Sequence, residues 1–191
     1  AYGNLVGRPT YATYNAEFMN RDLSTYLEPA AGSSVDFRGK HPVDYLVARR
    51  DDRPMVWHLV GGLDVVDGDE AEAVRPDDGE PFLLSEWIVR DGLRCLKVEL
   101  RGNDEQWDFE RLVHVAQVGF PLGVEHLTAD FNCTVRDPAY VNAVLDRLQR
   151  EEPAVYDAIF YVEQPFPYEL EFHRIDVSDV ARRKPLLMDE S

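Results

Sequence analysis

Short apolar runs that end on an acid recur along the second half of the chain, and this recurrence narrows the folds open to it more than any other feature. Leu127-Thr-Ala-Asp-Phe-Asn132 alternates as a strand does. Leu127, Ala129 and Phe131 fall on one side, and Thr128, Asp130 and Asn132 on the other. Tyr161-Val-Glu163 and Pro185-Leu-Leu-Met-Asp189 repeat the theme. The three acids are spaced by roughly 30 residues, the length of a strand, loop, helix and loop together. One acid at a strand end is usually just solvated. Three on successive parallel strands converge at one end of a sheet, an arrangement suited to a metal ion.

The intervening residues read as helices. Phe109, Leu112, Val113 and Ala116 give an apolar face over 108–118. Asp137-Pro138 supplies an N-cap and a first-turn proline for a helix striped by Val141, Val144, Leu145 and Leu148. Leu83 to Asp91 has helical spacing with Gly92 as its stop, and Val177 to Arg183 is a shorter helical segment. Strands are predicted at 55–60, 95–100, 127–132, 159–163 and 186–189. On the second, Leu96, Val98 and Leu100 face helices while Cys95, Lys97 and Glu99 face the other way; on the fourth, Phe160 and Val162 form the outer face. Strand and helix alternate five times without a hairpin signal, which predicts parallel strands joined by crossover helices. The inward set is Lys97, Glu99, Asp130, Asn132, Glu163 and Asp189. His58, near the end of the first strand, faces substrate or packs as a core histidine.

The opening reads as the tail of a helix closed by Gly7, with Pro9 barring continuation, followed by Tyr11 and Tyr14 and a turn from Pro29 to Ser34. The run Arg49-Arg-Asp-Asp-Arg53 mixes both charges and reads as a solvated loop. Within the acidic loop 64–81, Asp67-Gly-Asp-Glu matches only a fragment of a calcium loop. A chain of 191 residues, 45% hydrophobic, can bury a full-sized core. Its 36 acidic against 20 basic residues argue against nucleic acid or an anionic membrane as partner and are compatible with cation binding. No apolar run approaches the ~20 residues needed to cross a bilayer. Cys95 and Cys133 are expected as free thiols in a reducing compartment. The start without Met and the end just after a strand make both ends look cut rather than finished.

Four motifs in register resemble the enolase superfamily, and within it the mandelate racemase and muconate lactonising enzyme group. They are Leu96-Lys-Val-Glu, Asp130-Phe-Asn, Val162-Glu-Gln-Pro and Met188-Asp-Glu-Ser, with Gly-Asn-Leu-Val-Gly-Arg-Pro at the start similar to the end of that family's capping domain. The resemblance implies an α/β protein, a TIM-type (β/α)7β barrel of which about the first five β/α units are present. Residues 1–40 would be the end of the α+β capping domain and a linker, and 41–191 the barrel part. It implies Asp130, Glu163 and Asp189 as ligands of Mg2+, with Asp189 rather than Glu190 on the ligand side. Asn132 and His58 are candidates for substrate binding, Asn132 alternatively orienting Asp130. The implied chemistry is removal of a proton alpha to a carboxylate through an enediolate, most directly the dehydration of a sugar acid. A racemase, epimerase or cycloisomerase, or a non-catalytic metal-binding relative, is the alternative. A small carboxylate substrate, homo-oligomeric assembly and a cytoplasmic location are implied as well.

One position departs from the family. Its second strand usually reads Lys-x-Lys, the second lysine being a base, whereas here it is Lys97-Val-Glu99. Lys97 matches the lysine that holds the substrate carboxylate. Glu99 is then a proton relay, or a bystander to a base on a later strand, or simply the ion-pair partner of Lys97.

Overall fold

Aspartate N-caps and left-handed glycines set the helix ends in a computed structural model of the protein, which describes residues 2–29, 32–46, 53–68, 77–169 and 172–190. The runs 47–52 and 69–76 lie outside the described residues, and with them most of the two-sign charge run and the centre of the acidic loop. Two compact units divide between Pro54 and Met55. In the first, helix α1 (Tyr2–Val6) is closed by Gly7 at φ 65°. Short 3-10 turns follow at Thr10–Thr13, Leu23–Thr25 and Pro42–Tyr45. The last turn is tied back into this unit by the Val43 N–H donating to the Tyr14 carbonyl at 3.0 Å, which is why the unit runs past residue 40.

In the second unit, strands β1 (His58–Val60), β2 (Cys95–Glu99), β3 (His126–Asp130), β4 (Ile159–Glu163) and β5 (Leu186–Leu187) form one parallel sheet in chain order. The connecting helices are α2 (Leu84–Asp91), α3 (Glu105–Gly119), α4 (Pro138–Glu151), α5 (Pro153–Ala158) and α6 (Ser178–Arg183). Helix neighbours follow the same order, α2 on α3, α3 on α4, and α4 on α5 and α6. This is the expected α/β architecture of successive β/α units. β1 and β5 are both shorter than predicted. α3 starts at Glu105 because Asp104 caps it, its carboxylate accepting the Trp107 N–H at 3.1 Å. No helix among the described residues is long and apolar enough to cross a membrane.

Register sorts the side chains of this sheet. Leu96, Leu127, Ala129 and Val162 are at most 1% exposed and join the helices in one apolar core with Leu112, Leu145 and Leu148. Each fully buried leucine contributes about 1.5–3 kcal/mol relative to exposure. The opposite face carries Lys97, Thr128 and Tyr161 in one row, and Glu99, Asp130 and Glu163 in the next row toward the C-terminal ends. A register shift lies between Leu127, which pairs with Ile159, and Thr128, which pairs with Tyr161. Phe160 is therefore the extra residue of a bulge, half exposed against Trp57 and His126, and shares no outer face with the fully buried Val162.

Candidate functional site

The polar face gathers charge where the parallel strands end, the position at which parallel α/β sheets in general bind ligands. Asp130 and Glu163 are adjacent in register, 3% and 4% exposed. Lys97 reaches up from the row below and bridges them, with Nζ 2.9 Å from Asp130 Oδ2 and 2.7 Å from Glu163 Oε1. Burial alone would pull the Lys97 ammonium down, but the hydrogen bonds to Glu163 and Asp130 outweigh it and hold its pKa above the ordinary lysine value. Burial, then the charges of Asp130 and Asp189, push Glu163 above the usual glutamate range despite the Lys97 hydrogen bond. Two buried acids thus share one cation, and among the described residues Glu163 Oε2 is buried with no hydrogen-bond partner. Thr128 Oγ1, on the same face, is likewise buried without one.

The remaining sequence candidates fall around this core or away from it. Glu99 shares the row of Asp130, but its carboxylate accepts the Gly62 N–H at 3.1 Å while Lys97 pairs elsewhere; the reading of Glu99 as the partner of Lys97 is corrected accordingly. His58 pairs in register with Leu96, on the helix-facing side, and packs against the Trp87 ring at 5.3 Å. It does not share the face of Lys97, and burial keeps its imidazole below the ordinary histidine pKa. Asn132 lies beyond the end of β3 at φ 49°, with an exposed side chain. Its backbone N–H donates to Asp130 Oδ1 at 2.9 Å, so the chain at Asn132 orients the acid.

Asp189 comes to the same rim by a different route. β5 ends at Leu187, which stands opposite Glu163, so Asp189 lies two residues beyond that row. Its charge nonetheless contributes to raising Glu163, Tyr161 and Cys133. Glu190, expected to turn away, has its carboxylate 3.1 Å from Cys133 Sγ. Burial and that hydrogen bond push the Cys133 thiol up to about 12, and both cysteines are free thiols. Gln164, quoted in the Val162-Glu-Gln-Pro motif but given no role from sequence, is fully buried and accepts the backbone N–H groups of Asp189 and Glu190 at 2.9 and 3.1 Å. Its position between an acidic strand end and a proline is the signal that marks it.

The donor set of Asp130, Glu163 and Asp189 is all carboxylate oxygen, which suits a small hard cation such as Mg2+, and the orphaned Glu163 Oε2 is an acceptor such an ion would satisfy. Among the described residues no three His, Cys, Asp or Glu side chains are drawn together closely enough to hold an ion. Lys97 stands between two of the three acids. The three acids match a hard cation in donor type and in face but not in spacing, since Lys97 bridges Asp130 and Glu163.

No protein-family model and no curated protein matches the chain. Solved structures do. A mandelate racemase/muconate lactonizing protein from Herpetosiphon aurantiacus is 25% identical at a TM-score of 0.44, over 56% of this chain and 28% of that one. O-succinylbenzoate synthase from Thermosynechococcus elongatus BP-1, complexed with Mg in the active site, is 22% identical at a TM-score of 0.46, over 73% of this chain and 37% of that one. An enolase from Bradyrhizobium, complexed with magnesium and mandelic acid, is 20% identical at 0.42, over 71% and 31%. The chain thus spans between about a quarter and two fifths of the length of the structures it matches.

Proposed function

We propose that the intact protein removes a proton alpha to a substrate carboxylate in a Mg2+-dependent reaction of the enolase-superfamily kind, with dehydration of a sugar acid as its outcome. The observation that carries this reading is the pair of buried acids, Asp130 and Glu163, side by side at the ends of parallel strands and sharing one lysine, Lys97. Asp130, Glu163 and Asp189 would hold the metal. When bound, Mg2+ would supply positive charge where negative charge grows on the substrate carboxylate. Lys97, one row below, would meet that carboxylate once it yields an acid to the metal. Glu99 accepts the Gly62 N–H through one oxygen, a contact that supports a base located elsewhere in the intact protein. In the dehydration, the alpha proton would pass to that base and then on to the beta hydroxyl, which would leave as water, a net loss of H2O.

The same observation supports a second reading. An acid where the resemblance expects a basic lysine fits a relative that kept the fold and the cation site and lost the chemistry. Solvent deuterium exchange separates the two. With Mg2+ and a panel of sugar acids, the intact protein should exchange the alpha proton or dehydrate one member, and Glu99→Gln should retain most of that rate. General-base catalysis contributes about 10²–10⁴-fold, so a collapse in Glu99→Gln would make Glu99 the base instead. Failure of the wild type to exchange any of the panel while still binding Mg2+ would favour the non-catalytic reading.

A further inference from the structure

We propose that Gln164 is a positioning residue that holds Asp189 at the acidic rim through its side-chain amide, a role that rests on the metal reading of that rim. The β4–β5 ladder ends where the Gln164 N–H donates to the Leu187 carbonyl at 2.8 Å. Beyond it β5 has no further strand residues, and Asp189 and Glu190 stand outside the sheet. Their backbone N–H groups are taken up by one atom, Gln164 Oε1, at 2.9 and 3.1 Å. Gln164 Nε2 donates to the Phe166 carbonyl at 3.1 Å, and the Gln164 carbonyl accepts the Cys133 N–H at 2.7 Å. Every polar group of this fully buried residue is therefore used. The amide has one workable orientation, because the reversed one would set its NH2 against two N–H donors.

The backbone supports the same conclusion. Among the described non-glycine residues, positive φ occurs at Asn132, Cys133 and Gln164 alone, all directly past the ends of β3 and β4. Such conformations cost about 1–3 kcal/mol each and persist where the surroundings over-determine them. Here the strain takes the chain off the strand path on either side of the acids. It leaves the Asn132 N–H on Asp130 and the Gln164 amide on the segment bearing Asp189. A residue that merely filled space between β4 and β5 would need neither the strained backbone nor the paired acceptance.

The test is calorimetric titration of MgCl2 into the intact protein and its variants, with amide hydrogen exchange at residues 189 and 190. Gln164→Asn keeps the amide and tolerates positive φ but falls one methylene short. Supporting groups of metal ligands typically carry about 10–100-fold in metal affinity. Gln164→Asn and Asp189→Asn should each weaken Mg2+ binding within that range, the double variant should be no weaker than the weaker single, and exchange at 189–190 should quicken in Gln164→Asn. Wild-type affinity in Gln164→Asn beside a weakened Asp189→Asn would overturn the proposal while leaving the metal reading standing. Additive losses in the double variant would overturn it too, since Gln164 would then act elsewhere than through Asp189. No effect of Asp189→Asn would remove Asp189 from the ligand set and the proposal with it. If Gln164→Asn does not fold, Gln164→Met, which removes the acceptor at similar length, takes its place with the same expectations.

Discussion

The two faces of the sheet are built from the same strands and solve opposite problems. On the helix side, Leu96, Val98, Leu127, Ala129 and Val162 are buried without a polar atom in their side chains, and stability there is a matter of volume and contact. On the other side, Thr128, Asp130 and Glu163 are buried to a similar degree but carry two acids against one lysine and two unpartnered oxygens. A face designed only for stability would not leave those oxygens bare, because an unsatisfied buried polar group costs about 1–3 kcal/mol. One face holds the fold, and the other holds a deficit of positive charge that a ligand can fill.

The comparison is broken most forcefully by removing the one cation. Lys97→Met leaves the buried Asp130 and Glu163 without the lysine that bridges them and should cost about 3–5 kcal/mol in urea unfolding of metal-free protein. Mg2+ should restore much of that loss, about 2.7 kcal/mol at a hundred times its Kd, since the carboxylates no longer have a lysine competitor. A Lys97→Met protein as stable as wild type, or one indifferent to Mg2+, would show that the polar face is not charge-deficient. Leu127→Ala makes the matching cut on the other face. It should cost about 3 kcal/mol through the cavity it leaves, with Mg2+ affinity unchanged. A change in Mg2+ affinity there would show that the faces are not independent.

Much of this division was legible in the sequence, because alternation assigns faces wherever a strand is long enough to alternate. β2 and β3, five residues each, put Lys97 and Asp130 where the pattern predicts. The pattern weakens where strands are short or interrupted. β1 has three residues, and with a period of two a single step of register decides the face, so His58 belongs with Leu96 and Trp87 rather than with substrate. At β4 the bulge adds a residue that alternation cannot see, which separates Phe160 from Val162. Intervals of about 30 residues give the order of strands but not their register. They therefore cannot tell that Leu187, two residues before Asp189, stands opposite Glu163. Asn132 and Gln164 depend on positive φ, for which these residue types carry at most a weak signal. The bridge from Lys97 across to Glu163 joins strands that are not neighbours and cannot be read from any local pattern.

A smaller effect sharpens the contrast by pH. In metal-free protein, burial and neighbouring acids hold the native Glu163 pKa above the ordinary 4.5 of the unfolded chain. The native state therefore keeps its proton to higher pH than the unfolded one does. That contribution to stability is full below about pH 4.5 and is lost as pH rises through the raised native value. The stability of wild type relative to Glu163→Gln should fall with rising pH across this window, measured by urea unfolding in the presence of chelator. A flat difference would place Glu163 in an ordinary solvated setting, and a rising one would mean that Lys97 holds its carboxyl below the ordinary range.

The central claim is that Asp130, Glu163 and Asp189 share a divalent cation that takes the place now held by the Lys97 ammonium. A crystal structure of the intact protein grown with Mn2+ in place of Mg2+, read from the anomalous signal of the metal, tests it most directly. The account predicts one octahedral ion bound by oxygens of all three carboxylates at about 2.1 Å, as for Mg2+, with Lys97 withdrawn from at least one acid. Lys97 still bridging Asp130 and Glu163 at saturating metal, with no ion at the rim, would contradict it.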